Sequence, residues 1–236
     1  TFESAAVPFW VAAALGMVNV ISVSLFLPET HRHRREKHQF HFLKGLHNIQ
    51  SAWRDHDARP VYLTSFFYTA GFAFFTSFIG IFLVARYGLD EAAIGTFFGV
   101  VGVWIIITQL FILRLLTRRY TEKAILRVSL LVLAVALLLY PFVPSVFLLY
   151  AMIPILAIPN GLSIANIGAL VSKSVSSERQ GVALGINGSL MALAQGVIPL
   201  TAGVISGFMS IHAPFVAGAL LVFMAWLTFF VILKRS

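Results

Sequence analysis

Seven stretches of this chain are apolar, nearly free of charge and close to a bilayer's thickness in helical length: residues 5–27, 61–85, 92–113, 124–140, 146–171, 181–206 and 212–233. Hydrocarbon offers no hydrogen-bond partners, so a backbone crossing it must satisfy its own amides, as a helix or a closed barrel does. A helix needs about 20 apolar residues to cross roughly 30 Å. A barrel strand would alternate apolar and polar residues over roughly ten positions, and unbroken runs such as "LLVLAVALLLY" exclude that. The expected class is an all-α integral membrane protein with seven transmembrane helices. Composition agrees, because a chain 59% hydrophobic and 11% charged has too little polar surface to cover a water-soluble globule. The absence of cysteine excludes disulfide and thiolate chemistry. The chain opens Thr-Phe-Glu rather than with Met, and seven is an odd number of helices, so part of the protein is expected to precede it.

A net charge of +8 would suggest a nucleic-acid partner in a soluble protein. Its distribution points to membrane orientation instead. Residues 28–59, 114–127, 171–180 and 234–236 hold sixteen of the seventeen Lys and Arg, and they are alternate connections in the helix count, with Arg86 the exception. Basic loops stay cytoplasmic. The first helix is thus expected to run inward and the last to end inside at "LKRS", with no nucleic acid bound.

Six of the seven histidines lie in the first of these connections. His31 with His33, and His38 with His41, have spacings at which imidazoles could chelate a divalent ion. No carboxylate or histidine lies inside a membrane segment to receive such an ion, so a solvated basic loop without metal is expected. In its second half Phe42, Leu46, Ile49 and Trp53 recur at helical spacing, with Lys44, His47, Asn48 and Arg54 mostly off that stripe. This is the pattern of an amphipathic helix lying on the inner membrane surface against anionic lipid.

Local chemistry marks the helix ends. Pro60 can open the second segment after a cap at Asp57. Asp90 and Thr121 each precede a segment as caps, and Ser177 with Gln180 has capping-box spacing. The short links at 87–91 and 141–145 force antiparallel hairpins, so the last six helices form one compact bundle behind the long loop 28–59.

Polar side chains in hydrocarbon are costly and therefore informative. The fourth segment has only Ser129 mid-helix and the last only Thr228, so both are expected to turn toward lipid, as is the first. The second holds Tyr68, Thr69, Thr76 and Ser77, the third Gln109, the fifth Asn160, Ser163 and Asn166, and the sixth Asn187 and Gln195. In the fifth, Pro154 and Pro159 each remove a ladder hydrogen bond just before Asn160 and Gly161. That suits either a loosened helix bordering a water-filled cavity or a proline kink satisfied by neighbouring helices. Tyr68, Phe72 and Thr76 step by four, a stripe able to hold an amphiphilic ligand or to pack as core. Gly95 and Gly99, like Gly181 and Gly185, have the spacing that permits close helix approach. No ionisable Asp, Glu, Lys, Arg or His falls mid-segment, so proton coupling would need a titratable group in a preceding part of the protein.

Three features together resemble the C-terminal portion of a major facilitator superfamily transporter, most similar to the drug/proton antiporters of the tetracycline-efflux type. "PFWVAAALGMVNVISVSLFLPET" resembles that family's sixth helix with its Pro-Glu-Ser/Thr ending. "SSERQGVALGINGSLMALAQGVIPLTAGVI" resembles the loop and eleventh helix. The number and order of helices cover the rest. The resemblance implies that residues 1–27 are the last helix of an N-terminal domain, 28–59 the central cytoplasmic loop and 60–236 the C-terminal six-helix domain of a twelve-helix fold. Two such halves rock about a central site. Carried over by position, Tyr68, Thr69, Phe72, Thr76, Asn160, Ser163 and Asn166 would bind substrate. Gln109, Gly95, Gly99, Gly185, Asn187 and Gln195 would serve the domain interface and gating. Where the family has a Gly-x-x-x-Asp-Arg-x-Gly-Arg motif between its eighth and ninth helices, this chain reads "RLLTRRYTEKA". Arg119 fits, but Arg114, Arg118 and Thr121 stand at the first glycine, the aspartate and the second glycine, leaving a basic hairpin that anchors orientation.

The function this implies is not enzymatic and needs no cofactor. It is secondary transport of a small amphiphilic molecule across a bacterial inner membrane, as proton-coupled efflux, with lipid and an N-terminal half as partners. An importer or uniporter of a sugar or siderophore on the same fold, and a non-transporting receptor with a metal-sensing histidine loop, are the rival expectations.

Overall fold

The computed structural model describes residues 3–27 and 58–233 and forms two units, one holding the first helix and the other the remaining six. Residues 28–57, with the expected amphipathic helix, the histidine pairs and the Asp57 cap, lie outside the described residues. Helix α1 spans Glu3–Phe26 and is apolar on all sides. In the second unit, α2 spans Arg59–Tyr87, α3 Glu91–Thr117, α4 Glu122–Leu139, α5 Val146–Lys173, α6 Gln180–Phe208 and α7 Ala213–Leu233. All seven are long and apolar enough to cross a membrane. Helix α3 is interrupted after Ile107 by a π-helical turn, Thr108–Ile112.

Several ends follow the sequence chemistry. Asp90 accepts from the Ala93 N–H at 2.8 Å and Thr121 from Ala124 at 3.3 Å, each satisfying a donor that the first helical turn leaves unpaired. Pro60 lies in the first turn of α2, and that helix stops at Gly88, whose φ of 64° returns its N–H to the Leu83 and Val84 carbonyls. The capping box expected at Ser177 and Gln180 does not form. Ser177–Arg179 is a separate 3-10 turn closed by the Arg179 N–H on the Ser176 carbonyl at 2.9 Å, so Ser177 is not the residue flanking the helix.

Helix α7 packs between α2 and α4, α5 lies against α4, α3 against α5, and α6 against α2. Lipid and side chain are equally apolar, so these contacts rest on close packing and internal hydrogen bonds rather than on escape from water. The tightest is the crossing of α2 and α7. A methyl built on Gly71 would lie 2.6 Å from the Gly218 carbonyl oxygen, and one on Gly218 would lie 2.6 Å from that of Gly71. Such backbone approach permits Cα–H···O contacts of about 0.5–1 kcal/mol each. Toward one end the same seam is aromatic: Phe215 meets Phe75, Phe78 and Phe82 edge to face, and Phe75 meets Tyr140 likewise.

Helices α4 and α7, expected to be the lipid-facing type, turn their lone polar groups inward. Ser129 is buried among Leu126, Leu130 and Leu133, and its hydroxyl receives that of Ser163 on α5 at 3.0 Å. Thr228 lies 3.3 Å from Thr64 on α2. Both hydroxyls are used between helices, while Val128, Val132 and Val135 of α4 are exposed. Within the six-helix unit the helices with the least internal cover are α3 and α6; in all of α3 only Phe97 and Thr108 are buried.

Candidate functional site

A groove of about 420 Å³ opens between α2, α5 and α6. Its α2 wall consists of two neighbouring tracks, Tyr68, Phe72 and Thr76 beside Thr69, Ala73 and Ser77, each stepping by one helical turn. Helix α5 contributes Ile164, and α6 contributes Met191 and Gln195, again one turn apart. The wall mixes ring, hydroxyl, thioether and amide, and among the described residues it carries no Asp, Glu, Lys, Arg or His. A volume of this size falls within the range of sites for small organic ligands.

The rings are ordered by their neighbours. Tyr68 and Phe72 lie nearly parallel, 10° apart with centroids 6.4 Å apart, and Phe72 stacks in turn on Phe75 at 5.6 Å. The Tyr68 hydroxyl reaches out of this stack and donates to Asn160 Oδ1 at 2.6 Å, with the Asn160 carbonyl oxygen 3.4 Å away. Asn160 follows Pro159, and α5 runs unbroken as helix through both prolines. The missing N–H groups at Pro154 and Pro159 take the ladder partners from the carbonyls of Tyr150 and Ile155.

The seven expected substrate contacts divide into two groups. Tyr68, Thr69, Phe72 and Thr76 line the groove. Asn160, Ser163 and Asn166 are buried and engaged elsewhere: Asn160 with Tyr68, Ser163 with Ser129, and Asn166 Nδ2 with the Leu162 carbonyl at 2.7 Å. Of the expected interface residues, Gln195 lines the groove, while Gln109 is exposed in the π-helical turn of α3. A methyl on Gly95, Gly99 or Gly185 would meet nothing within 4 Å, so these glycines sit at open surface rather than at a helix crossing of the described bundle. Asn187 is buried; its Nδ2 contacts Met191 Sδ at 3.4 Å and its Oδ1 has no partner among the described residues. Met191, Ser77, Ala73 and Ile164 were absent from the sequence-derived set. The one-turn spacing of Thr69, Ala73 and Ser77, and of Met191 and Gln195, is the signal that could have found most of them.

Thr69 lies in the wall with its hydroxyl buried and unpaired among the described residues. An unpaired buried hydroxyl costs about 1–3 kcal/mol. Outside the groove, Glu122 at the start of α4 forms an ion pair with Lys173 at the end of α5. Arg127 lies over the Phe230 ring at 4.7 Å, joining α4 to α7. Glu122, within the basic hairpin "RLLTRRYTEKA", thus ties neighbouring helices together.

Spanning helices, hydroxyls paired between them and a partly polar groove within them define a multi-pass integral membrane protein. The sequence profile of the Major Facilitator Superfamily matches residues 61–236, and the chain belongs to that family. No curated protein matches it. Among solved structures it is similar to the human organic anion transporter MFSD10 (TETRAN), with a TM-score of 0.61 and 20% identity over 83% of this chain. The similarity extends over 43% of that transporter, and at this identity it speaks to the fold alone.

Proposed function

We propose that residues 60–236 are the C-terminal six-helix half of a secondary transporter, with α1 as the sixth helix of its first half and 28–59 as the cytoplasmic loop between the halves. The solute is a small amphiphilic molecule, and it moves by alternating access as the two halves rock about a shared central site. The observation that carries this is the groove between α2, α5 and α6, whose open wall combines stacked rings with hydroxyls and an amide. The sparsely covered faces of α3 and α6, with Gln109, Gly95, Gly99 and Gly185 open upon them, are the surfaces that meet the first half. Efflux driven by proton entry across a bacterial inner membrane is the specific form suggested by the resemblance of the α1 and α6 motifs. Among the described residues no Asp, Glu or His lines the groove, so if transport is coupled to protons, the group that carries them is proposed to lie in the first half.

The test is transport by the complete protein in inverted membrane vesicles, with a panel of labelled amphiphiles and an imposed pH gradient. Gradient-dependent accumulation of at least one compound is expected. Passive distribution of every compound, identical to vesicles lacking the protein, would remove the proposal.

A further inference from the structure

Away from the groove, at the basic end of α4, two cations stand without a countercharge. Lys123 and Arg127 lie one helical turn apart on one face, and both are exposed. No carboxylate among the described residues pairs with either: Glu122 is taken by Lys173, and Glu178 belongs to the link between α5 and α6. The Arg127 guanidinium lies instead over the Phe230 ring, 4.7 Å from its centroid. Phe230 is in the last turn of α7, so the charge is held where that helix leaves the hydrocarbon. A ring beneath the guanidinium attracts the cation but neutralises nothing. It leaves the N–H donors along the guanidinium edge to a forked acceptor such as a phosphate.

The surface leading away from Arg127 is apolar and continuous. Trp226 stacks on Phe230 at 5.4 Å and 20°, and Phe223 on Trp226 at 5.5 Å and 19°. Because Arg127 near the start of α4 meets Phe230 near the end of α7, the two helices run antiparallel, and this ladder of rings leads from the cation toward mid-membrane. On α4, exposed Leu131 and Val135 follow Arg127 at successive turns. None of these residues lines the groove between α2, α5 and α6. Paired cations at the mouth of an apolar furrow between two spanning helices match a membrane lipid with an anionic headgroup. A zwitterionic headgroup would add an ammonium, for which the neighbouring carboxylate, Glu122, is already engaged. We propose that α4 and α7 hold an anionic phospholipid here, its phosphate on Arg127 and Lys123 and one acyl chain against Phe230, Trp226 and Phe223. The proposal stands apart from the groove and does not depend on what the protein transports.

Lipids with brominated acyl chains test it, because bromine quenches indole fluorescence at short range. The complete protein is reconstituted into vesicles of phosphatidylcholine and phosphatidylglycerol in which one lipid or the other carries the bromine. The Trp226 signal is the difference between the unaltered protein and Trp226→Phe. Brominated phosphatidylglycerol is expected to quench it more strongly, with a preference of about fivefold or more over phosphatidylcholine at equal content. Arg127→Gln should remove most of that preference, and Arg127→Gln with Lys123→Gln all of it. Arg127→Lys, a point charge without the fork, should keep an intermediate value. Quenching by brominated phosphatidylcholine should persist in every variant, which also reports that the protein is folded and inserted. Millimolar inorganic phosphate should leave the preference unchanged; its loss there would make free phosphate the ligand and overturn the proposal. Equal quenching by the two lipids in the unaltered protein, no quenching of Trp226 by either, or a preference that survives the double substitution would overturn it too. Should Arg127→Gln fail to insert, an unchanged preference in both Arg127→Lys and Lys123→Gln would do the same.

Discussion

The Tyr68 hydroxyl donates to Asn160 Oδ1 across 2.6 Å, so one side chain both stacks in the groove and fastens α2 to the proline-containing helix α5. Asn160 is 2% exposed, and the oxygen that receives this bond would otherwise be short of a partner in an apolar interior.

Removing the bond separates these two roles. Tyr68→Phe keeps the ring and deletes the hydroxyl, and is expected to destabilise the protein by about 0.6 kcal/mol, the average for hydrogen bonds between membrane helices, and by no more than about 1.7 kcal/mol. Asn160→Leu should cost a similar amount, and the double variant should cost less than the sum, because the two deletions remove the same bond. Unfolding measured in detergent or bicelles gives the three values. Additive losses would mean that the bond carries no coupling. Transport should fall in Tyr68→Ala, where the wall itself is lost.

The glycines provide a contrast between neighbouring positions of the same chemistry. Gly71→Ala places a methyl 2.6 Å from a backbone carbonyl that cannot rotate aside, so α2 and α7 must part, at an expected cost of about 1–3 kcal/mol. Gly99→Ala meets nothing within 4 Å and should be neutral or stabilising by up to about 1 kcal/mol from helix propensity. Thermal unfolding of the two variants should differ in sign or by well over the measurement error. A bulkier change at Gly99, to Leu, should impair transport with membrane insertion intact, since that face is proposed to meet the first half.

These outcomes also indicate what the sequence could reveal. The seven spans were legible because bilayer thickness fixes helix length, and Asp90 and Thr121 were legible as caps because their chemistry is local. Rotation about the helix axis was not legible where both faces are apolar. On α4, Ser129 shares a face with Leu126 and Leu133, but exposed Val128 and Val132 are equally apolar, so no periodicity separates core from lipid. The Gly71–Gly218 crossing draws one glycine from each of two helices, so no spacing within one helix announces it. On α2 the step of four from Tyr68 to Thr76 did mark the groove wall. Its facing residue Met191 was hidden because a thioether in an apolar helix looks like any other packing residue.

Orientation can be read by labelling cysteines introduced one at a time into these residues, which contain none, in a protein from which any reactive cysteine elsewhere has been removed. Tyr120 in the link between α3 and α4 and Pro144 in the link between α4 and α5 are both exposed and lie at opposite ends of α4. In intact cells, a membrane-impermeant maleimide is expected to label Pro144→Cys and to spare Tyr120→Cys, with the pattern reversed in inverted vesicles. The reverse result in both preparations would place the basic hairpin outside and contradict the charge-based orientation.

A tight contact between α5 and the π-helical turn of α3 provides a suppressor test. A methyl on Gly161 would lie 3.0 Å from Thr108 Cγ2 and 3.3 Å from its Cβ, directly beside the Asn160 that holds Tyr68. Gly161→Ala should therefore shift α5 by a few tenths of an ångström against the turn and lower stability by about 1 kcal/mol, and Gly161→Val should do so more strongly. Thr108→Ser removes the obstructing methyl and retains the hydroxyl that donates to the Trp104 carbonyl at 2.7 Å. Combined with Gly161→Ala it should recover most of the lost stability, although Thr108→Ser alone removes a packed methyl and is expected to be mildly destabilising. Because one change relieves the crowding created by the other, the pair should be strongly non-additive when unfolding is measured. Simple addition of the two losses would show that α5 and the π-helical turn do not touch at this point.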